Sequence, residues 1–164
     1  MMNTKQNLVP TIISINKHAR YNYFINEIMD AGLLLHGWEV KSLRAKQVNI
    51  HDSYIVFSDG EAYLCGSTFQ PLSLVSSHIT CLPNRKRKLL LKKSELDCLI
   101  RKVNHDGYTV IALSIYWKSA WAKLKIGIAR GKKKYDKRND LKDREWKLHK
   151  ERIVKNINCV FIRN

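Results

Sequence analysis

The chain has 164 residues, 45% of them apolar, which suits one domain with a packed core and an appendage. Lys and Arg number 30 against 14 Asp and Glu, a formal +16, and so large an excess points to a polyanionic partner, nucleic acid before an anionic membrane surface. No apolar stretch approaches the ~20 residues of a membrane span, and residues 1–10 lack a signal-peptide core, so a secreted or membrane-spanning protein is excluded and a cytoplasmic one expected.

In chain order, Asn16 is placed to cap a helix over 17–31, with Ala19, Phe24, Ile28 and Ala31 at helical intervals and Gly32 ending it. Residues 33–43 then read as a strand, with Glu39, Lys41 and Leu43 on one face and Trp38, Val40 and Ser42 on the other. Ser53–Ser58 and Glu61–Gly66 flank Asp59-Gly60, whose glycine supplies the positive φ of a two-residue hairpin. Residues 71–84 carry two prolines and three serines and read as a loop. After the basic run 85–88 and the apolar Leu89–Leu91, Ser94 opens a short helix to about Val103, with Asp97 as its capping-box partner. Thr109–Trp117 and Trp121–Ala129 form a second hairpin, in which Ala122, Leu124, Ile126 and Ile128 alternate with Lys123 and Lys125. One face of that strand is buried and the other basic. About six hairpin-joined strands with two short helices predict a mainly β fold, a small closed or partly closed antiparallel barrel over 11–130.

The remaining residues, 131–164, form a basic tail. From Arg130 to Lys155 there are 12 Lys and Arg against 5 Asp and Glu, a local +7 in 26 residues without a proline. On a helical wheel Trp146 and Ile153 share one side while Leu141 and Leu148 fall on the other, so neither stripe is wide enough to bury the helix. Pairs such as Lys147 with Glu151 add only tenths of a kcal/mol each, so the tail is expected to be largely disordered alone and to fold on a partner.

Little here suggests catalysis. His51-Asp52 and His105-Asp106 read as turn pairs, because neighbours on a strand point to opposite faces. No phosphate-binding or nucleophile-elbow motif occurs. The four cysteines, Cys65, Cys81, Cys98 and Cys159, lie 16, 17 and 61 positions apart and lack metal-site spacing, so neither a metal nor a cofactor is expected. RNA binding fits better: Lys41, Arg44, Lys123 and Lys125 would neutralise phosphates, and Tyr21, Tyr23, Trp38 and Tyr54 offer rings to unstacked bases. A general ribosomal or double-stranded-RNA-binding module shares this signature; a nuclease, assembled from Asp30, Glu39 and Asp52, is the weaker alternative.

A set of motifs narrows the choice. N-K-H-A-R at 16–20, Tyr23-Phe24, Ala31-Gly32, G-W-E-V-K-S-L-R at 37–44, D-S-Y at 52–54, R-K-L-L-L at 87–91, G-K-K at 131–133 and Y-D-K-R at 135–138 follow one another in that order. Over about residues 12–155 the chain closely resembles the SsrA-binding protein (small protein B, SmpB) family. The resemblance implies an oligonucleotide-binding-like barrel with a C-terminal tail unstructured in the free protein. It implies a monomeric, non-enzymatic adaptor that binds the tRNA-like domain of transfer-messenger RNA. With elongation factor Tu and GTP, the charged RNA goes to stalled ribosomes, where the tail enters the decoding centre and the empty mRNA channel. Carried over by position, RNA binding would involve Asn16, Tyr23, Asp30, Glu39, Lys41, Arg44, Leu90 and Lys123, and the basic Arg20 and Lys125 are expected to join them. Glu39 would accept from base or amine donors or orient basic neighbours. The ribosomal role would fall to Gly131, Lys132, Lys133, Asp136, Lys137, Arg138, Trp146, Ile153 and Val154. The chain departs from the family pattern at Asp30, where Glu is usual, and at Arg44-Ala45-Lys46-Gln47, where R-A-G-K is common. Leu82 and Asn84 also differ from the usual Asp and Thr, and residues 156–164 extend past the usual end.

Overall fold

The computed structural model describes residues 11–72 and 80–161, with side chains of the last helix as far as Val154. In chain order they form β1 (Thr11–Ile15), α1 (Lys17–Asn22), β2 (Tyr23–Leu33), α2 (Gly37–Arg44), β3 (Val48–Asn49), β4 (Tyr54–Ser58), β5 (Glu61–Cys65), β6 (Thr68–Phe69), β7 (Arg87–Leu90), α3 (Lys93–Asp106), β8 (Thr109–Lys118), β9 (Trp121–Gly131) and α4 (Lys134–Phe161). The main antiparallel sheet runs β1-β8-β4-β5-β7-β2-β9, and β8 also pairs with β9. That last pairing closes six strands into a barrel and leaves β1 added on the edge of β8. β3 and β6 form a separate two-stranded ribbon.

The mainly β barrel and both hairpins agree with the sequence reading. At the first turn Asp59 and Gly60 have φ of 54° and 71°, the doubly left-handed pattern that matches the twist of paired strands. Leu124, Ile126 and Ile128 point inward, packed with Leu33, Leu64, Leu89 and Ile115. Each such side chain stabilises the fold by about 1.5–3 kcal/mol through burial.

Two segments differ from expectation. The helix expected over 17–31 ends at Asn22, and Tyr23–Leu33 is an eleven-residue strand. A β-bulge between Ile25 and Glu27 hides the alternation. Before it Tyr23 and Ile25 pack with Ala19, Ile111, Leu113 and Ala129 in a second, outer cluster; after it Met29, Ala31 and Leu33 face the barrel interior. A one-residue insertion flips every later side chain, and the broken pattern passes for helical spacing. β8 carries a matching bulge between Ala112 and Ser114. Gly127 makes room for both, since a Cβ there would lie 3.0 Å from Leu113 Cδ1 and 3.3 Å from Ile25 Cγ2.

The strand expected over 33–43 is instead the helix α2, burying Trp38, Glu39, Ser42 and Leu43 at helical spacing. Its start is fixed by Glu39, whose Oε2 accepts from the His36 backbone N–H at 2.7 Å. The same device opens α3, where the Lys92 N–H donates to Glu95 at 3.0 Å, so Glu95 takes the capping role expected of Asp97. His51-Asp52 does lie in a turn, whereas His105-Asp106 ends α3 ahead of Gly107, at φ 67°. Part of the loop expected over 71–84, namely 73–79, lies outside the described residues.

The described residues divide into two compact units that meet between Gly131 and Lys132. The second is α4, a helix of 28 residues. α4 covers most of the basic tail, the segment that the sequence reading expects to become helical on its partner, and no Gly or Pro interrupts it after Gly131. Leu141, Trp146, Leu148, Ile153 and Val154 are all exposed along it.

Candidate nucleic-acid interface

The expected RNA-binding residues fall into three groups. The first lies on the outer face of three adjacent strands, β7, β2 and β9. Gly32 in β2 is the register partner of both Leu90 in β7 and Lys123 in β9, so these two side chains flank it about 10 Å apart, two strand spacings. Two residues along, Asp30 pairs with Lys125. Asp30 accepts from the Tyr116 hydroxyl; burial, then that hydrogen bond, push the Tyr116 pKa up to about 12. Lys125 Nζ lies 5.6 Å from the centre of the same ring. Tyr116 thus holds an acid and a base side by side on one surface.

Beside this face is an apolar cleft of about 360 Å³, lined among others by Leu34, Val40, Leu90, Trp117, Trp121 and Lys123. Leu34, Leu90 and Trp121 are 54%, 53% and 74% exposed, a cost in water that a flat apolar ligand would relieve. A Cβ at Gly32 would sit 3.1 Å from Leu90 Cβ, so the glycine lets Leu90 lie across the strand.

The second group surrounds α1. Asn16 is buried and bonded at both ends of its amide: its Oδ1 accepts from the Ala19 N–H at 3.0 Å, and its Nδ2 donates to the Ala112 carbonyl at 3.0 Å. It pins the β1–α1 corner to the bulge of β8, a positioning role. Arg20 is exposed and Tyr23 half-buried at the same end of the barrel.

The third group is α2. Lys41 and Arg44 are exposed on its last turns, on a helix and not on the strand the sequence suggested. Glu39 is buried at 0% exposure, which leaves it the second of its expected roles, orienting basic neighbours. Its Oε1 accepts from Arg85 Nε and Arg87 Nε, each at 2.8 Å, and its Oε2 pairs with the second arm of Arg85. Burial pushes its carboxyl up, but the Arg85 hydrogen bond, the His36 N–H and the two guanidinium charges outweigh that and hold it below the usual value. Arg87, itself buried at 0%, also donates to Ser67 and Pro83 carbonyls and lies 3.7 Å from the centre of the Phe69 ring. Among the described residues no three His, Cys, Asp or Glu cluster so as to hold a metal ion, and no helix is long and apolar enough to cross a membrane.

Residues 13–156 match the family described as "SmpB protein". This chain belongs to the SmpB family. A solved structure described as "tmRNA-SmpB: a journey to the center of the bacterial ribosome" is similar at 44% identity, over 74% of this chain and 85% of that one, with a TM-score of 0.61.

The SmpB match gives Lys46 a meaning. It stands where the family pattern has glycine, and its φ is 58°, a left-handed conformation costing a side chain about 1–2 kcal/mol. Lys46→Gly is expected to stabilise the barrel by about 0.5–1 kcal/mol in urea unfolding, less than the full strain because glycine also loosens the unfolded chain.

At the tail, Lys133 and Asp136 have a structural duty besides any ribosomal one. The Lys133 N–H donates to Asp136 Oδ2 at 3.1 Å at the start of α4, and Lys132 Nζ pairs with Asp140 at 2.6 Å. Lys137 and Asp136 are half-buried and Arg138 exposed. Lys150 Nζ lies 5.4 Å from the centre of the Trp146 ring. Sequence reasoning missed Trp121, Leu34 and Tyr116. A tryptophan just after the hairpin residues Ser119-Ala120 was the one available signal for the first, because a hairpin tip is seldom buried.

Proposed function

We propose that this chain is the RNA-binding adaptor of ribosome rescue. It binds the tRNA-like domain of transfer-messenger RNA and carries it to stalled ribosomes for trans-translation, which tags the unfinished peptide and frees the ribosome. The barrel holds the RNA, and the tail occupies the decoding centre and empty mRNA channel; elongation factor Tu with GTP arrives on the same charged RNA. It works by binding and placement, without catalysis or a cofactor, as a monomer in the cytoplasm.

The observation that carries this reading is the Leu90–Gly32–Lys123 face beside the Trp121 cleft, in a chain of the SmpB family. Lys123 and Lys125 meet phosphate, while Trp121 and Leu90 give an unstacked base a flat apolar seat. Trp121→Ala is expected to weaken binding to a tRNA-like fragment about tenfold, the loss of one stacked base, with no fall in melting temperature. Competition between that fragment, ordinary tRNA and plain duplex RNA at two salt concentrations tests the whole reading. Preference for the fragment should survive at the higher salt. Equal binding to all three, collapsing with salt, would leave a general polycationic RNA module instead.

A further inference from the structure

We infer that a second cavity, at the α1 end of the barrel, accepts one unstacked nucleobase. The inference rests on the RNA-binding reading and extends it to a site away from the Lys123 face. The cavity measures about 300 Å³ and is lined among others by His18, Tyr23, His51, Asp52, Tyr54 and Ile111. Its floor is apolar, Ala19 and Ile111 being buried there. Its walls are rings: the His18 and His51 centroids stand 5.3 Å apart and tilted by 34°, and Tyr54 is 49% exposed at the rim. Two polar neighbours are committed inward. Ser53 Oγ donates to the Ile50 carbonyl at 2.7 Å, and Asn16 is used as described. His51 Nδ1, by contrast, is a buried atom with no partner among the described residues.

An apolar floor, ring walls and a buried ring nitrogen without a partner suit a planar heterocycle, which stacks on its faces and hydrogen-bonds along its edge. A free phosphate fits poorly, because Asp52 sits on the rim. A flanking phosphate has Lys17 and Arg20, both exposed on α1. The cavity lies where β9 ends, since Tyr23 pairs with Gly131 and Thr109 with Ala129. Two RNAs could supply the base, the transfer-messenger RNA or the ribosomal RNA, and the chemistry is the same.

The test uses the full chain. Ring resonances of His18 and His51 are followed by NMR during titration with GMP, AMP, CMP and UMP, and separately with inorganic phosphate. At least one nucleotide should shift both rings saturably while phosphate at equal concentration does not. Thr109→Trp, which fills the cavity from an exposed rim position, should weaken that response about tenfold, one stack's worth, while the rest of the spectrum is unchanged. No saturable shift with any nucleotide, or an equal one with phosphate, overturns the site. Adding the tRNA-like fragment in one arm and a decoding-centre oligonucleotide of ribosomal RNA in the other identifies the source. If both RNAs bind and neither moves the rings, the cavity is not used and the proposal falls. If the fragment fails to bind at all while a nucleotide still shifts the rings, the site stands and the adaptor reading is what has failed.

Discussion

Glu39→Ala is expected to cost the barrel about 3–5 kcal/mol, because it removes one partner of a fully buried ion pair and strands the other. Arg87 is at 0% exposure, so the charge left behind cannot rotate into water, whereas Arg85, with 21% of its side chain exposed, can. For a domain whose whole stability is of order 5–15 kcal/mol, the variant stands near the edge of folding. Glu39→Gln keeps the shape and should be milder. Pairing Glu39→Leu with Arg87→Met should recover much of the loss, since an apolar pair of similar volume needs no desolvation. The pH dependence follows from the same network. The carboxyl sits below its ordinary value of 4.5 in the folded chain, so its contribution is fully present above the unfolded value and is lost as pH falls through the folded one. Urea midpoints measured from neutral pH down to about 3 should therefore fall less steeply for Glu39→Gln than for the parent. Equal slopes would mean that Glu39 is not the group whose protonation loosens the barrel. RNA affinity, measured where the variant is still folded, should drop far less than stability does, because the carboxylate touches Arg85, Arg87 and the His36 N–H rather than solvent.

What the sequence made legible depended on whether local pattern and global fold agreed. β9 reads correctly because its inward Leu124, Ile126 and Ile128 alternate strictly with Lys123 and Lys125. The Asp59-Gly60 turn reads correctly because its backbone demands what those residues supply. β2 does not, because the bulge at Ile25–Glu27 splits one strand between two cores, and periodicity is blind to an inserted residue. α2 fails for another reason: eight residues are too few for a period of 3.6 to be told from a period of 2. The interface divides likewise. Lys123 and Leu90 were visible by family resemblance, but that Gly32 brings them together is a matter of strand order. The Glu39–Arg87 pair spans 48 residues, a contact no local pattern encodes, and its burial changes a residue expected at the RNA surface into one that holds the surface in place.

The last expected result separates the two units. Reversing Lys132 and Lys133 together to glutamate should leave affinity for the tRNA-like fragment within about twofold and reduce peptide tagging on stalled ribosomes by an order of magnitude or more. The first half of that expectation is a distance argument. Lys123 lies at one end of β9 and Gly131 at the other, eight residues and roughly 25 Å away, several times the Debye length of about 8 Å at physiological ionic strength. Charge changed at the two residues that directly follow Gly131 is therefore screened from the Leu90–Gly32–Lys123 face. The second half concerns α4 itself. Its N-terminal turn is held by the Lys133 N–H to Asp136 and by Lys132 to Asp140, so the reversal removes two cations and sets a new carboxylate against that of Asp140. Asp136→Asn separates these causes: it weakens the carboxylate cap, worth about 1 kcal/mol, while leaving both lysines in place. If tagging follows the cations, Asp136→Asn is mild; if it follows helix formation, the two variants fail alike. Lys123→Glu is the converse control, expected to lose fragment affinity by about tenfold or more, a phosphate contact turned repulsive. A tail reversal that weakened fragment binding as much as Lys123→Glu would mean that the tail and the barrel face grip the same RNA, and the division of labour between the two units would have to be abandoned.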